Sequence, residues 1–211
     1  MTHELRTPLT VIQGNLEALL DGVYPADPAH LTPILDETQV LSRLVEDLRT
    51  LSLAESGALQ LHRESTDMGI LVSETTTAFR ASADRAGVEL RVTLPNELPL
   101  LNLDPVRIRE VLTNLVANAL RHTSPGGVIH LSGEVTEPHL TLSVSDTGSG
   151  IPPERLPHIF DRFYKSDESN GSGLGLAIAK SLVTAHGGEI AATSEGVAGR
   201  GATIRFTLPL T

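Results

Sequence analysis

The sequence SDTGSGIP, at residues 145–152, decides the fold of the larger part of this chain. It follows residues 140–144, where apolar and polar side chains alternate as they do in a half-buried strand. A carboxylate at the end of a strand, followed by glycines, allows a flat ligand to approach the backbone closely. Asp146 can accept a hydrogen bond from an exocyclic amine, which favours adenine, because guanine carries an oxygen in the corresponding position. We therefore predict a purine pocket at the end of this strand.

A second glycine-rich segment, GSGLGL at residues 171–176, opens a predicted helix over 174–185. Glycines at a helix N-terminus expose amide donors and the positive end of the helix dipole to phosphate oxygens. The segment lacks the GK[ST] ending of a P-loop, and its place near the end of the sequence disfavours a dinucleotide-binding fingerprint. Taken alone, it fits an ordinary loop as well as a phosphate site.

A predicted helix precedes both glycine-rich segments in the sequence. Asp104 caps this helix, which runs to His122. Glu110, Asn114 and Asn118 follow one another at four-residue steps on one face of it, opposite an apolar face. Carboxamides are poor helix formers, and their oxygens suit Mg²⁺ held together with phosphates. The same pattern also fits an ordinary solvated polar face.

The first sixty residues predict a different architecture, an antiparallel pair of helices. Apolar residues step by four and three over 5–19 and again over 34–48, and breakers occupy 21–28. Thr32 before Pro33 predicts the start of the second helix, although Asp27–Pro28 is a competing start. Five further leucines make the apolar faces of these two helices wider than one partner helix can cover: Leu20, Leu31, Leu35, Leu44 and Leu51. A four-helix bundle made by two chains buries them; the alternative is a hairpin that closes against the second domain of the same chain.

The fold class that follows is α+β. A two-helix hairpin at 1–60 precedes an α/β domain at 61–211, with Glu55–Ala58 as the candidate hinge. Helices or strands of the second domain are predicted at 70–86, 88–94, 104–122, 128–135, 140–144, 174–185, 190–193 and 202–208.

Composition excludes several classes of protein. The 211 residues carry 16 Lys and Arg against 26 Asp and Glu, a net charge of −10, and only four Phe and two Tyr. Such a chain is unsuited to coating nucleic acid. It has no Cys, which removes disulfides and thiolate metal sites, and no apolar run of membrane-spanning length, so we expect no membrane contact by this part.

The octet HELRTPLT, at residues 3–10, is the feature of the hairpin that points to chemistry. On a helix of about 100° per residue, His3 projects about 160° from the apolar seam, and Thr7 lies one turn above it. Glu4 stands beside the imidazole, and Pro8 is expected to bend the helix there. The octet resembles, position for position, the phosphoacceptor box of sensor histidine kinases. The resemblance implies that His3 accepts a phosphoryl group, that Glu4 assists as base, and that Thr7 positions water in a phosphatase reaction.

The second domain resembles the ATP-binding half of the same family. Residues 110–118 resemble its asparagine box, 146–150 and 171–175 its two glycine boxes, and 159–165 (IFDRFYK) its phenylalanine box, in the family's order. The resemblance covers essentially the whole chain. It implies an α/β sandwich of the type shared with gyrase and heat-shock-chaperone ATPases.

By that resemblance, Glu110 belongs to the catalytic residues, Asn118 coordinates Mg²⁺, and Asp146 reads adenine. Arg121 and Lys165 then meet the outer phosphates. The implied nucleotide-binding set is Asn114, Asn118, Arg121, His122, Asp146, Gly148, Gly150, Phe160, Lys165, Gly171, Gly173, Leu174 and Gly175. Many relatives have Lys where Arg121 stands and Arg where Lys165 stands, so which of the two meets the γ-phosphate stays open. The polar stretch 162–170 is expected to be a mobile lid.

The predicted function is ATP-dependent transfer of a phosphoryl group to His3 and onward to an Asp of a response-regulator receiver domain. ATP, Mg²⁺ and a second copy of the chain are the other implied partners. We expect a cytoplasmic fragment of a membrane-anchored parent, with a weakened dimer because the sequence starts two residues before His3. Two alternatives are a gyrase- or chaperone-like ATPase, which does not explain the octet, and a regulator-binding scaffold without catalysis, which does not explain the intact asparagines and glycines.

Overall fold

The computed structural model describes residues 2–165 and 172–210, with side chains from residue 5 onward. Its elements in chain order are α1 (Thr2–Leu20), α2 (Pro28–Glu55), β1 (Glu64–Thr66), α3 (Met68–Ala86), β2 (Glu89–Thr93), β3 (Leu101–Leu103), α4 (Pro105–His122), β4 (Val128–Thr136), β5 (His139–Asp146), α5 (Gly175–Ala185), β6 (Ile190–Ser194) and β7 (Ala202–Pro209). This architecture confirms the predicted α+β class. Within the described ranges, no helix has the length and apolar character needed to cross a bilayer.

The second hairpin helix begins at Pro28, so the predicted start at Thr32–Pro33 is wrong and the competing one is right. The side chain of Asp27 accepts a hydrogen bond from the backbone amide of His30, which satisfies an amide that the first turn leaves unpaired. Pro33 lies inside the helix. The N-cap at Asp27 therefore decides where this helix begins.

The second domain is a two-layer α/β sandwich. Its five-stranded sheet has the order β2-β4-β5-β7-β6, in which β2 and β4 are parallel and all other pairs are antiparallel. Buried and more exposed residues alternate along β5 and β7, and α3, α4 and α5 pack against the sheet. The centre of the core holds large side chains such as Ile108, Leu115 and Phe206, all essentially inaccessible to solvent.

A small second sheet was not predicted from the sequence. β1 and β3 form an antiparallel pair in which Glu64 lies opposite Leu103. Each strand has three residues, which is too short for an alternating pattern to stand out. This pair joins the chain that leaves the hairpin to the start of α4.

The hairpin packs against the α/β domain of its own chain. Leu44 and Leu51 of α2 are 6% and 1% exposed and belong to the same apolar cluster as the buried residues of α4 and α5. The prediction that a second chain buries these two leucines is therefore wrong, and for them the intrachain alternative is right. Leu20, Leu31 and Leu35 remain 86%, 45% and 58% exposed. The domain boundary at residue 60 stays a prediction.

Candidate functional site

A cleft of about 270 Å³ opens between α4, the loop after β5, the segment 155–165 and the start of α5. Its described lining residues are Asp47, Asn114, Ala117, Asn118, Arg121, His122, Asp146, Ser149, Gly150, Ile151, Pro152, Arg155, Ile159, Tyr164, Lys165, Ser172, Gly173, Gly175, Leu176 and Ala202. The fold thus brings together residues from four of the motifs that the sequence singled out, although they are far apart in the chain.

Asp146, the last residue of β5, has a partly buried carboxylate that lines the cleft. Its Oδ1 accepts hydrogen bonds from the amides of Gly148, at 2.8 Å, and Ala202, at 3.3 Å. Burial raises the pKa of Asp146, although these two amides and His122 act in the opposite direction. Oδ2 makes no hydrogen bond to any residue that the structure describes, so it is available to a ligand that donates a proton.

Two glycines allow the backbone to close around this carboxylate. Gly201 has φ +65°, and a Cβ on it would lie 1.8 Å from the carbonyl oxygen of Asp146. A Cβ on Gly148 would lie 2.2 Å from the carbonyl oxygen of His122. Gly148 therefore does not line the cleft but lets the loop after β5 approach the end of α4. The sequence analysis missed Gly201, because only the pairing of β5 with β7 makes it a neighbour of Asp146.

Asn114 and Asn118 lie one turn apart on α4, and both side chains line the cleft. Neither carboxamide makes a hydrogen bond within the described part of the chain. Asn114 faces the start of α5, where a Cβ on Gly175 would lie 3.4 Å from its Oδ1. Half-buried amides without protein partners are typical of a ligand site. Their oxygens are the hard donors that Mg²⁺ accepts.

Among the described residues, three cationic side chains line the cleft: Arg121, Lys165 and Arg155. The first two were predicted, and Arg155 was not, because no motif singles it out in the segment between the glycine boxes. Beside Arg121, the pKa of His122 is lowered, chiefly by burial and next by the guanidinium charge. His122 is therefore expected to be neutral at neutral pH. The positive charge in the cleft then comes from the two arginines and the lysine, in a chain that is acidic as a whole.

Besides Gly148, three described residues of the predicted set do not line the cleft. Glu110 forms a hydrogen-bonded ion pair with Arg107, 2.9 Å from Oε2 to Nη1. Phe160 lines a second groove, where the Nζ of Lys180 lies 5.9 Å from its ring centre. Leu174 is fully buried beneath the start of α5. An apolar side chain at such a junction gains more from packing in the core than from contact with a polar ligand.

A backbone hydrogen bond joins the start of the predicted lid to the segment that follows it. The amide of Phe163 donates to the carbonyl oxygen of Gly173 at 2.9 Å, and both residues have positive φ, 60° and 70°. A side chain at position 173 would collide with the backbone of Phe163, at 2.7 Å. Gly171, and the predicted mobile stretch from residue 166 onward, lie outside the described residues.

Two family models match the chain, one on each predicted domain. The model for "Histidine kinase-, DNA gyrase B-, and HSP90-like ATPase" matches residues 103–211, and the model for "His Kinase A (phospho-acceptor) domain" matches residues 1–57. The chain belongs to the sensor histidine kinase family. The recognition made from the motifs is thereby confirmed.

Relatives and solved structures of histidine kinases agree over nearly the whole chain. It is 34% identical to the signal transduction histidine-protein kinase BaeS of Escherichia coli K12 over 213 residues and 39% identical to the sensor histidine kinase WalK of Bacillus subtilis over 219. Each match covers 99% of this chain, but only 45% of BaeS and 35% of WalK.

Among solved structures, the Acinetobacter baumannii histidine kinase AdeS has a TM-score of 0.84 at 33% identity, covering 99% of this chain and 98% of AdeS. Histidine kinase ThkA in complex with response regulator protein TrrA has a TM-score of 0.76 at 25% identity, covering all of this chain and 60% of that one.

In this histidine kinase, the backbone of His3 and Glu4 lies in the first turns of α1, and their side chains lie outside the described part. Thr7 is exposed, as predicted. The roles of all three residues therefore stay predictions.

One residue of the hairpin reaches the cleft. Asp47 of α2 lines it, and the pKa of Asp47 is raised to about 6, chiefly by burial and next by the charge of Glu110. Further along α2, Glu55 forms an ion pair with Arg162. Asp47 was not predicted from the sequence, because the hydrophobic pattern of a helix does not show which domain its polar positions will contact.

Proposed function

We propose that this chain catalyses transfer of the γ-phosphoryl group of MgATP to His3, and from there to an Asp of a response regulator. The single observation that carries the proposal is the cleft, in which the described residues combine a half-buried carboxylate with three cationic side chains and with two carboxamides that no described residue pairs. It lies in the same chain as the octet HELRTPLT, and the chain belongs to the histidine kinase family.

We propose that the adenine lies at the end of the cleft where β5 ends. The free Oδ2 of Asp146 accepts from an exocyclic amine, as the adenine ring offers, and Ile151 and Pro152 supply apolar lining beside it. A guanine ring has an oxygen in place of that amine, and the Asp146 carboxylate repels this oxygen. The site therefore favours ATP over GTP.

The phosphates then extend along α4 toward Asn118 and Asn114. Within the described residues, no three His, Asp or Glu side chains are grouped to hold a metal ion by themselves. The donor set fits Mg²⁺, which uses few protein ligands, retains waters and completes its octahedron with phosphate oxygens. We infer that Asn118 is the direct ligand and that Asn114 supports it. The ion, when bound, neutralises charge that develops on the phosphates.

The transfer step itself is a displacement at the γ-phosphorus. An imidazole nitrogen of His3 forms the new N–P bond, the bond to the β,γ-bridging oxygen breaks, and ADP leaves; Glu4 takes the proton from the ring. Positioning and charge neutralisation supply most of the rate enhancement in such reactions. Arg121 and Lys165 provide fixed positive charge for the outer phosphates, and the hinge at Glu55–Ala58 or a facing subunit brings His3 to the cleft.

The phosphohistidine is the donor for an Asp carboxylate of a receiver domain, and Thr7 positions water when the regulator is dephosphorylated. The solved complex of ThkA with its regulator supports this choice of partner. We also propose that two chains associate through the leucines of the hairpin that remain exposed. Because ATP is the donor, we place the reaction in the cytoplasm, within a parent protein anchored at the membrane.

The experiment that tests the proposal is labelling with ATP that carries an isotope in its γ-phosphoryl group. The protein should acquire acid-labile, alkali-stable label, lose it in His3→Gln, and pass it to a receiver domain added from a panel. His62→Gln, at an exposed position, is the control and should label normally. Label that persists in His3→Gln would contradict the assignment, and ATP hydrolysis without labelled protein would favour a chaperone-like ATPase.

A further inference from the structure

The hairpin supplies one wall of the cleft. Asp47 of α2 is half-buried and lines the same cleft as Asn114 and Asn118. Its position is fixed by its neighbours on the same helix face, since Leu44 and Leu51 are buried against the α/β domain. The ion pair between Glu55 and Arg162 adds a further contact to this docked arrangement.

Asp47 lies toward the phosphate end of the cleft and away from the adenine end. It interacts electrostatically with Glu110, whereas Asp146 interacts with His122. Glu110 and His122 are separated on α4 by about 18 Å along the helix axis. A nucleotide whose ring lies at Asp146 therefore directs its phosphates along α4 toward Asp47.

The charges near Asp47 come from two helices. Glu110 on α4 and Arg43 and Glu46 on α2 are the charged groups that influence Asp47. Glu110 is itself paired with Arg107. Because the pKa of Asp47 is raised only to about 6, the carboxylate is largely ionised at neutral pH. The docked hairpin thus places a negative charge where phosphates are expected.

We propose that Asp47 is a specificity-determining residue of the nucleotide cleft, which makes the docked chain discriminate against metal-free triphosphate in favour of its magnesium complex. The proposal rests on the proposed function, that the cleft binds ATP. A half-buried carboxylate repels the highly charged free triphosphate, and a bound magnesium ion cancels part of that charge and weakens the repulsion. The discrimination depends on docking, because Asp47 leaves the cleft when α2 does.

The test is calorimetric binding of a nonhydrolysable ATP analogue to the full chain, once in EDTA and once in excess MgCl₂. Asp47→Asn should strengthen metal-free binding about three- to tenfold, the effect of one nearby charge in a partly solvated site. Binding of the magnesium complex should change less than about twofold, since its charge is smaller. Asp36→Asn makes the same charge change on an exposed position of α2, about 16 Å away, and should change neither affinity.

Two outcomes would overturn the inference. One is a metal-free affinity that is the same in Asp47→Asn, Asp36→Asn and wild type. The other is weaker binding of the magnesium complex by Asp47→Asn, because Asp47 would then be a metal ligand. A wild-type chain that binds the analogue under neither condition would instead contradict the proposed function itself.

A second variant tests the dependence on docking. Leu51→Ala removes a buried contact of α2 and should strengthen metal-free binding as Asp47→Asn does. In the double variant, Asp47→Asn should then add little, because the carboxylate has already left the cleft. The contrary result is a double variant that strengthens metal-free binding by the product of the two single-variant factors. That result would show that Asp47 acts independently of docking and would refute that part of the inference.

Discussion

At the scale of the residue, the candidate site contains polar side-chain atoms that no described residue pairs. Asn114 and Asn118 make no hydrogen bond within the described part of the chain, and Asp146 uses only one of its two oxygens. Half-buried polar atoms normally find protein partners, because an unmade hydrogen bond is costly there. Their grouping along one cleft is what separates a ligand site from an ordinary polar helix face, a question that the sequence left open.

The ligand role of Asn118 can be tested by removing its carboxamide. Asn118→Ala should weaken binding of the magnesium complex of an ATP analogue about ten- to a hundredfold, because the metal loses a direct oxygen ligand. In EDTA, the loss should be much smaller. Isothermal calorimetry measures both affinities, and Asn96→Ala, at an exposed position outside the cleft, is the control. Equal losses with and without magnesium would contradict a metal-ligand role.

At the scale of the element, caps and a buried histidine hold the helices that carry the site. Asp104 is almost fully buried; its side chain caps α4 and also accepts from the amide of His62. The backbone amide of Asp104 donates to Nε2 of His186, whose Nδ1 donates to the carbonyl oxygen of Leu182. This network joins the start of α4 to the end of α5, so it fixes the spacing of the two helices that form the cleft.

His186 should make the stability of this network depend on pH. Burial is the chief cause that lowers the pKa of His186, so the unfolded chain binds a proton more readily than the folded chain does. The contribution of the neutral ring is therefore fully present above the unfolded pKa, about 6.5, and is lost as the pH falls below it.

Replacement of the ring should reduce that dependence. Between about pH 7.5 and about pH 5.5, the fall in Tm should be about 2–4 °C smaller in His186→Gln than in wild type, although the variant is less stable at the higher pH. Thermal unfolding followed by circular dichroism measures both, with His62→Gln as the exposed control. A pH dependence identical to that of wild type would show that His186 does not titrate on unfolding.

At the scale of the whole molecule, the two ends of the hairpin have different environments. Leu44 and Leu51, near the α/β domain, complete its core, whereas Leu20, Leu31 and Leu35, nearer the turn of the hairpin, remain exposed. Exposed leucines grouped on a helical hairpin are typical of a surface that another chain covers. The docked α2 and a dimer interface at the other end of the hairpin are therefore compatible.

The proposed dimer interface predicts a specific effect of charge. Leu35→Asp should raise the dissociation constant of the dimer at least about tenfold, because a carboxylate would be buried between apolar helices. Sedimentation velocity over a range of concentrations measures it. Leu100→Asp, at a position 61% exposed in the second domain, should leave association unchanged. Equal effects of the two substitutions would argue against the hairpin as the interface.

Local patterns were enough to predict most elements of this chain. The Asp104 cap and the apolar face of α4 predicted that helix, and alternation over residues 88–94 predicted β2, because these signals arise within a few residues. The start of α2 was predicted wrongly for a local reason, since two cap-plus-proline signals lie close together and only one can be used. The three-residue strands β1 and β3 carry no signal of their own and form because they pair with each other.

The sequence by itself determined the family, the order of the motifs and the fold class, and it predicted a set of nucleotide-binding residues, because these are carried by residue types at fixed spacings. Only the tertiary structure decided that Asp47 of the hairpin enters the cleft, that Arg155 lines it, that Gly201 lies against Asp146, and that Glu110 and Phe160 face elsewhere. Each of these depends on contact between segments far apart in the chain. Such contact is set by packing and strand pairing across the whole core, and a pattern within one segment does not record it.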